Sequence, residues 1–472
     1  MIKLFVKISI LSIIIASCKV GPNYQRPAIK SPGEFRFAEG IQDTAIDLHW
    51  WELFRDEDLN KLIKIALANN YDVKIAASRI DEAMYIVGYN KADYWPALTY
   101  GISGSRGQDN VPSVGEVMGP YNNFAATANL VWELDFWGKY RRSTEAAQAE
   151  LLASEYGMAA IQIGLISAVA ETYFLLLDYR SLYEISVKTL ESRKESLRII
   201  KERFDKGIVA EIDLNQAQIQ EAVAEAAIPL YKRAVAQTEH ALSILLGVNP
   251  GQITITKTLM DQQVPPKIPT GVPSSLIERR PDVLAAEQIV AAQNARIGVA
   301  QALRYPSISI SGMLGAASSE LSTFFSGDAF VWSVGAGIFG PIFEFNKNKR
   351  RVQVERERMI QDSLNYAQTV IQAFREVEDA LIEISTLEKE SQARMKQMAA
   401  AQNAAKLSKE RYNGGVTSYL EVLDSDRTQF DSELIASDTY QQYLNAYVKL
   451  YKALGGGWIT EEQMKQAQSS QQ

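Results

Sequence analysis

The 472-residue chain has only one cysteine, Cys18, and two histidines, His49 and His240. A His/Cys metal centre is close to excluded, and a lone cysteine forms no disulfide within the chain. Two histidines leave no nucleophile–His–acid set to assemble, and no P-loop or Gly-rich phosphate cradle occurs, so the chain does not read as an enzyme. His49 adjoins Trp50-Trp51 and reads as a packing residue; His240 falls on a helix. There is no basic excess either: the formal net charge is −7, which removes the electrostatic argument for a nucleic-acid partner. Beyond the N-terminus no run of about 18 apolar residues stands out as a membrane helix. If this chain crosses a bilayer it is expected to do so as a β-barrel.

What is present begins with a leader. Lys3 and Lys7 are followed by the apolar run Ile8–Ile15 and then Ala16, Ser17 and Cys18, the layout of a secretory signal peptide over residues 1–17. The ending Ile15-Ala16-Ser17-Cys18 resembles the bacterial lipobox, which implies a mature chain that starts at Cys18 and carries covalent lipid there. Two or three acyl chains anchor stably where one does not.

Slid against itself, the chain matches in four places at an offset of about 208–210 residues. Tyr71–Ile80 answers Pro281–Val290, and Tyr94–Gly104 answers Arg304–Gly312. Leu134–Arg142 answers Phe343–Arg351, and Arg203–Leu214 answers Arg411–Val422. Four matches in one order imply an internal duplication. The repeats fall at 56–264 and 281–454, with a Pro-rich linker at 265–280, an N-terminal segment at 18–55 and a C-terminal segment at 455–472.

Each copy has the same grammar. A medium helix is expected at Asp56–Lys91 and at Pro281–Leu303, stopped by Pro96 and Pro306. Two period-two strands follow, at Ala97–Gly107 and Phe124–Phe136, then at Ser307–Ala316 and Phe330–Phe345. A helix of some sixty residues comes next, Ser143–Arg203 and Arg350–Tyr412, broken at Gly207 and at Gly414-Gly415. Return helices Glu211–Leu246 and Ser418–Leu454 complete the copies, with a kink expected at Pro229. Helices that long, about 90 Å at 1.5 Å per residue, need a partner along their length, so coiled-coil seams are expected.

Four strands do not close a membrane barrel, which starts at about eight, and an open sheet in lipid would strand backbone groups. Other copies must complete it; three copies give about twelve strands and a lumen. Tyr94, Trp95, Tyr100, Trp132, Phe136 and Trp137 cluster near strand ends, where an aromatic girdle would lie. The basic clusters Lys139–Arg142 and Lys347–Arg351 then read either as facing lipid phosphates or as solvated helix starts that oppose the helix dipole.

These residues carry a family resemblance. Cys18–Pro27, Glu278–Glu287 with Ala295–Gly312, and Arg411–Arg427 together resemble the TolC-like outer-membrane efflux proteins, most closely their lipoprotein (NodT/OprM-type) branch. The likeness implies a mainly α fold with β: an antiparallel coiled-coil barrel of helices and four strands per protomer in a trimeric, twelve-stranded transmembrane barrel. It places Ile41–Phe54, Pro250–Pro273 and Gly455–Gln472 in a mixed belt around the helices. It implies a passive exit duct in the outer membrane for drugs or other small molecules, with no cofactor beyond the lipid on Cys18. The implied partners are two further copies, outer-membrane lipid, a periplasmic adaptor protein and an inner-membrane transporter of the resistance-nodulation-division type.

Carried across residue by residue, the resemblance gives a periplasmic gate. Glu421 and Asp424 match the acidic positions of the constriction; at i and i+3 they share one helix side. Three copies would set six carboxylates around the axis, favouring cations and raising some of their pKa values. Asp213 and Tyr412 match a carboxylate–phenol latch between hairpins, and Gly207 and Gly415 match the tips where the adaptor docks. Thr417 stands where the family pattern has an arginine, which implies a weaker gate or one held by other contacts. Two rivals remain: a duct for polypeptides in a type I secretion system, and a coiled-coil lipoprotein with no pore. The alternating strands argue against the second.

Overall fold

The structure, a computed structural model, describes residues 19–29, 33, 35–37, 49–108, 120–266, 277 and 279–456. Cys18 and the leader lie outside the described residues, as do most of the linker and the segment after residue 456. The chain divides into two compact units: residues 1–28, 79–155 and 285–367 form one, and 29–78, 156–284 and 368–472 the other.

Elements run in the order α1 (Glu57–Asn69), α2 (Tyr71–Ala92), β1 (Ala97–Gly107), β2 (Tyr121–Leu134), α3 (Lys139–Asp205) and α4 (Glu211–Leu245), then α5 (Pro281–Ala302), β3 (Ser307–Ser318), β4 (Phe330–Phe339), α6 (Lys347–Asn413) and α7 (Tyr419–Ala453). The duplication is visible in their lengths. Helices α2 and α5 have 22 residues each, α3 and α6 have 67, and α4 and α7 have 35. The turns agree too: Gly207 and Gly415 take φ of +73° and +71°, a left-handed conformation that penalises a side chain by backbone strain alone, since nothing lies within 4 Å of an added Cβ.

Several expected boundaries move. The single helix expected over Asp56–Lys91 is broken at Asn70, whose Oδ1 accepts from the backbone N–H of Asp72 and Val73 and so caps a second helix. The Asn70 amide also donates to the Leu245 carbonyl at 3.0 Å. Strand β4 ends at Phe339, not Phe345, because Gly340 packs on Pro306 and Pro341 has no N–H to extend the ladder. Strand β2 starts earlier than expected, at Tyr121, and stops at Leu134. Both long helices begin about a turn sooner, at Lys139 and Lys347. Helix α4 runs through Pro229 without interruption.

One stretch of α3 is long and apolar enough to cross a membrane by length and composition, contrary to the expectation that none exists. Its residues are core instead. Ile166, Val169, Ala170, Tyr173, Phe174 and Leu176 are at most 1% exposed. They pack in the second unit with Trp50, Phe54, Leu59, Leu444, Val448 and Tyr451. Trp50 stacks on Tyr451 at 4.8 Å and an interplanar angle of 8°. Trp50–Phe54, one described part of the expected belt, is thus a 3₁₀ turn sunk in this core.

Asp178 on α3 sits in the same unit, 1% exposed, and accepts from the Ser437 hydroxyl of α7 at 2.6 Å. Burial pushes its carboxyl up to about 6, against the Ser437 hydrogen bond, and Asp438 nearby adds to the rise. A folded pKa above the unfolded value means the native state holds the extra proton between the two. Stability therefore falls as pH rises from about 4 through about 6 and stays reduced above. Asp178→Asn should stabilise the protein at pH 7.5 by on the order of 2–3 kcal/mol and leave it unchanged near pH 4. Melts at the two pH values test this; a gain equal at both would refute it.

Candidate functional site

The four strands form one antiparallel sheet in the order β1-β2-β3-β4, each pair adjacent in sequence order. Residues in register share a face. One face collects Leu98, Tyr100 and Ile102 with Ala128, Leu130 and Trp132, then Ile308, Ile310 and Leu314, then Trp332, Val334 and Ile338. The opposite face collects Thr99, Gly101, Ser103, Thr127, Asn129, Ser309, Ser311, Ser333, Gly335 and Gly337, with Val131, Met313 and Val331 as apolar exceptions within it and Tyr121 and Phe339 at strand ends. The apolar face is bare: Ile102 is 80% exposed, Val334 75% and Ile338 74%. In water that face would be covered; facing lipid it needs no cover. The outer edges of β1 and β4 have no strand partner among the described residues, so another copy must supply one if the sheet lies in a membrane.

The sheet's foot is tied by aromatic donors. Trp132 Nε1 donates to the Tyr94 carbonyl at 2.9 Å, and Trp137 Nε1 to the Pro306 carbonyl at 2.7 Å. Trp137 also stacks on Tyr305. The first basic cluster is paired within the chain. Lys139 pairs with Glu133 and Arg141 with Asp135. Asp135 also accepts the backbone N–H of Tyr140 and Arg141, so an acid caps the start of α3. Arg142 is buried, its side chain 1% exposed. In the second cluster Lys347, Lys349, Arg350 and Arg351 are exposed.

The other candidate residues gather in the second unit at the turns that follow α3 and α6. A small core of Ile200, Ala217, Tyr419, Val422 and Leu423 holds the two hairpins together. Glu421 and Asp424 lie on one side of α7 as expected. Glu421 is half-buried and takes a hydrogen bond from Thr417, the residue standing where an arginine was expected. Arg411 supplies the cation instead, at 3.5 Å from Glu421. Asp424 is exposed and pairs with Arg427 at 2.8 Å.

The expected Asp213–Tyr412 hydrogen bond is not made within the chain. The Tyr412 hydroxyl is buried with no partner there, and its ring packs on Tyr419 at 5.4 Å and under Arg203 at 4.7 Å. Burial raises the Tyr419 phenol above its ordinary pKa, and the charges of Asp426, Tyr412 and Asp213 raise it further. A groove of about 220 Å³ lined by Ser192, Glu195, Ile199, Lys409, Tyr412 and Asn413 runs between α3 and α6 near the tips.

Sequence reading missed Arg193. Its side chain is 3% exposed; Nε donates to Asp426 at 2.8 Å, Nη1 to the Gln220 carbonyl at 2.8 Å, and the guanidinium lies over Phe430. One side chain so ties α3 to α4 and to α7. Breaking a buried pair from one side costs about 3–5 kcal/mol because the other charge stays buried. Asp426→Ala should therefore free the start of α7 and raise conductance in a planar bilayer above the wild-type value. Equal conductance would mean that the pair only packs helices.

The comparisons with known proteins fit this geometry. The outer membrane efflux protein family model matches residues 62–248 and again 272–456. The probable efflux pump outer membrane protein TtgC of Pseudomonas putida is 30% identical over 100% of this chain and 99% of its own. The cation efflux system protein CusC of Escherichia coli K12 is 31% identical over 95% of this chain and 98% of its own. Among solved structures, the CmeC outer membrane channel of Campylobacter jejuni aligns with a TM-score of 0.88 at 29% identity, covering 96% of this chain and 98% of that one. The outer-membrane channel OprN aligns at 0.87 and 28% identity over 93% of this chain and 100% of that one. With a family model matched once in each repeat and full-length relatives at this identity, the chain belongs to the outer membrane efflux protein family.

Proposed function

We propose that this chain is the passive outer-membrane exit duct of a tripartite efflux assembly for small molecules, and that three copies form it. The observation that carries the reading is the sheet: a bare apolar face, a small polar face and two open edges on only four strands. Such a sheet is stable in lipid only when neighbours pair both edges, and the polar face then lines a lumen. Cys18 carries the lipid. The hairpin turns at Gly207 and Gly415, with the groove between α3 and α6, receive a periplasmic adaptor. An inner-membrane transporter supplies the energy. Sedimentation and single-channel recording on detergent-extracted protein test the proposal; a lone, non-conducting protomer would refute it.

Glu421 and Asp424 line the narrowest point in this reading. Each has one basic partner on its own chain, Arg411 and Arg427, so the ring is partly neutralised. It still carries the only acidic pair expected at the constriction. The double variant Glu421→Ala/Asp424→Ala should lose most of the channel's preference for cations. Reversal potentials in a salt gradient measure it, and an unchanged preference would remove these residues from the gate.

A further inference from the structure

Residues 19–28 form an extended strap within the first unit, and Arg142 holds it. That buried guanidinium makes five hydrogen-bond contacts, one or more from each of its three nitrogens. Nε donates to the Val20 carbonyl at 3.2 Å, Nη2 to the Gly21 carbonyl and to Asn23 Oδ1, both at 3.1 Å, and Nη1 to the two Glu145 oxygens at 3.2 and 2.9 Å. The strap crosses α5 where two glycines meet. A Cβ on Gly21 would fall 2.5 Å from the Gly298 Cα, and one on Gly298 would fall 2.8 Å from the Arg142 stem. Further along α5, Asn294 donates to the Pro22 carbonyl at 3.0 Å, and Glu287 takes Tyr24 at 3.2 Å and Arg26 at 2.6 Å.

The duplication supplies an internal control. Gly88 occupies the position equivalent to Gly298, and Arg142 corresponds to Arg350 counted from the helix starts or to Arg351 in the repeat match, both of them exposed. Nothing lies within 4 Å of an added Cβ on Gly88. The paired arginine and glycine grip only where the single N-terminal strap passes. The strap ends at the foot of the sheet: Val20 N–H donates to the Trp137 carbonyl at 3.1 Å, and a Cβ on Gly138 would lie 3.2 Å from the Lys19 Cα. Cys18 is one residue further, a step of about 3.8 Å.

We infer that Arg142 is a positioning residue that clamps the N-terminal strap to the foot of the sheet and so fixes where the lipid of Cys18 enters the membrane. The lipid half of this rests on the proposed acylation of Cys18. With the strap clamped, anchor and sheet insert at one depth; with it loose, the lipid still holds the chain to the membrane but no longer sets the sheet's level for assembly.

The test uses the full-length chain, expressed with its own leader in a lipoprotein-processing Gram-negative host. Arg142→Met removes the clamp. Gly298→Ala evicts the arginine stem from the other side while favouring the helix it sits in, so a weakened α5 does not explain its effect, and it serves if Arg142→Met fails to fold. In both variants trypsin should cut after Lys19 about tenfold faster than in wild type, the shift expected when even one hydrogen bond to a charged group is lost. Intact mass should show the acyl chains unchanged, and the yield of heat-modifiable trimer in the outer membrane should fall toward that of Cys18→Ser. Protection of Lys19 in both variants would overturn the clamp. A freed strap with full trimer yield would overturn its role in assembly. A wild-type mass without acyl chains would overturn the lipid half alone, because the trypsin readout does not depend on it.

Discussion

Arg280→Ala should cost the assembled protein about 3–5 kcal/mol of stability, because it empties a buried junction of three elements. The Arg280 side chain is 7% exposed. Nε and Nη2 grip Asp282 at 3.0 and 2.6 Å, and Nη1 reaches both the Ala453 carbonyl at 3.0 Å and Glu376 at 2.8 Å. The arginine therefore joins the start of α5, the middle of α6 and the end of α7. Ala453 is the last residue of α7, where carbonyls lack helical partners and a cation is favoured. The turn beyond is shaped to fit: Gly455 has φ of +73°, and a Cβ there would come within 3.1 Å of the Arg280 Cγ. Truncation leaves Glu376 and the Ala453 carbonyl without this donor. Arg280→Lys keeps the charge but offers no planar fork, so it should lose about half as much. Denaturant midpoints of the detergent-solubilised protein measure both. A loss below about 1 kcal/mol for Arg280→Ala, the worth of an exposed pair, would mean that the junction is held by packing alone.

The parts of this fold that were legible in the sequence are those with local period or punctuation. Strand alternation in Ser307–Gly312 predicts its two faces directly, because period two is written residue by residue. Gly207 and Gly415 mark hairpin turns because only glycine takes that φ cheaply. Glu421 and Asp424 share a helix side at any i, i+3 spacing. What stayed hidden depends on partners far away in the chain. Asn70 reads as one polar residue in a helical stretch; its break is fixed partly by Leu245, 175 positions on. Arg193 lies among many charges on α3, and only the fold brings Asp426 to it across 233 positions. The basic run Lys139–Arg142 suggested a surface, yet Glu133, Asp135 and the strap neutralise it. The apolar stretch of α3 escaped notice because Gln, Glu and Thr interrupt it, although burial against Trp50 and Tyr451 makes it core. The same distance hides the latch: whether a carboxylate meets the Tyr412 hydroxyl depends on the fold, and inside one chain that hydroxyl has no partner.

Asp56→Ala should be as damaging, by about 3–5 kcal/mol, since one fully buried carboxylate does four tasks. Its Oδ1 accepts the backbone N–H of Asp58 at 2.9 Å and of Leu59 at 3.2 Å, capping α1. Its Oδ2 accepts the Tyr173 hydroxyl at 2.6 Å and the Gln262 amide at 2.7 Å. Those partners sit on α3 and on the segment after α4, so the carboxylate links a helix start to two distant parts of the core. Asp56 is 0% exposed, as is Tyr173. Loss of the cap is worth about 1 kcal/mol; stranding the buried Tyr173 hydroxyl adds about 1–3 kcal/mol, and the Gln262 amide, left with only its 3.4 Å bond to the Thr258 carbonyl, adds about 1 kcal/mol. Tyr173→Phe removes one donor together with its need for an acceptor, so it should cost only about 1–2 kcal/mol. Made in the Asp56→Ala background it should cost much less, because the hydroxyl it deletes is already stranded. Chemical denaturation of the two single variants and the double closes the cycle. Additive losses would show that Asp56 and Tyr173 act independently, and the shared network would then be abandoned in favour of capping alone.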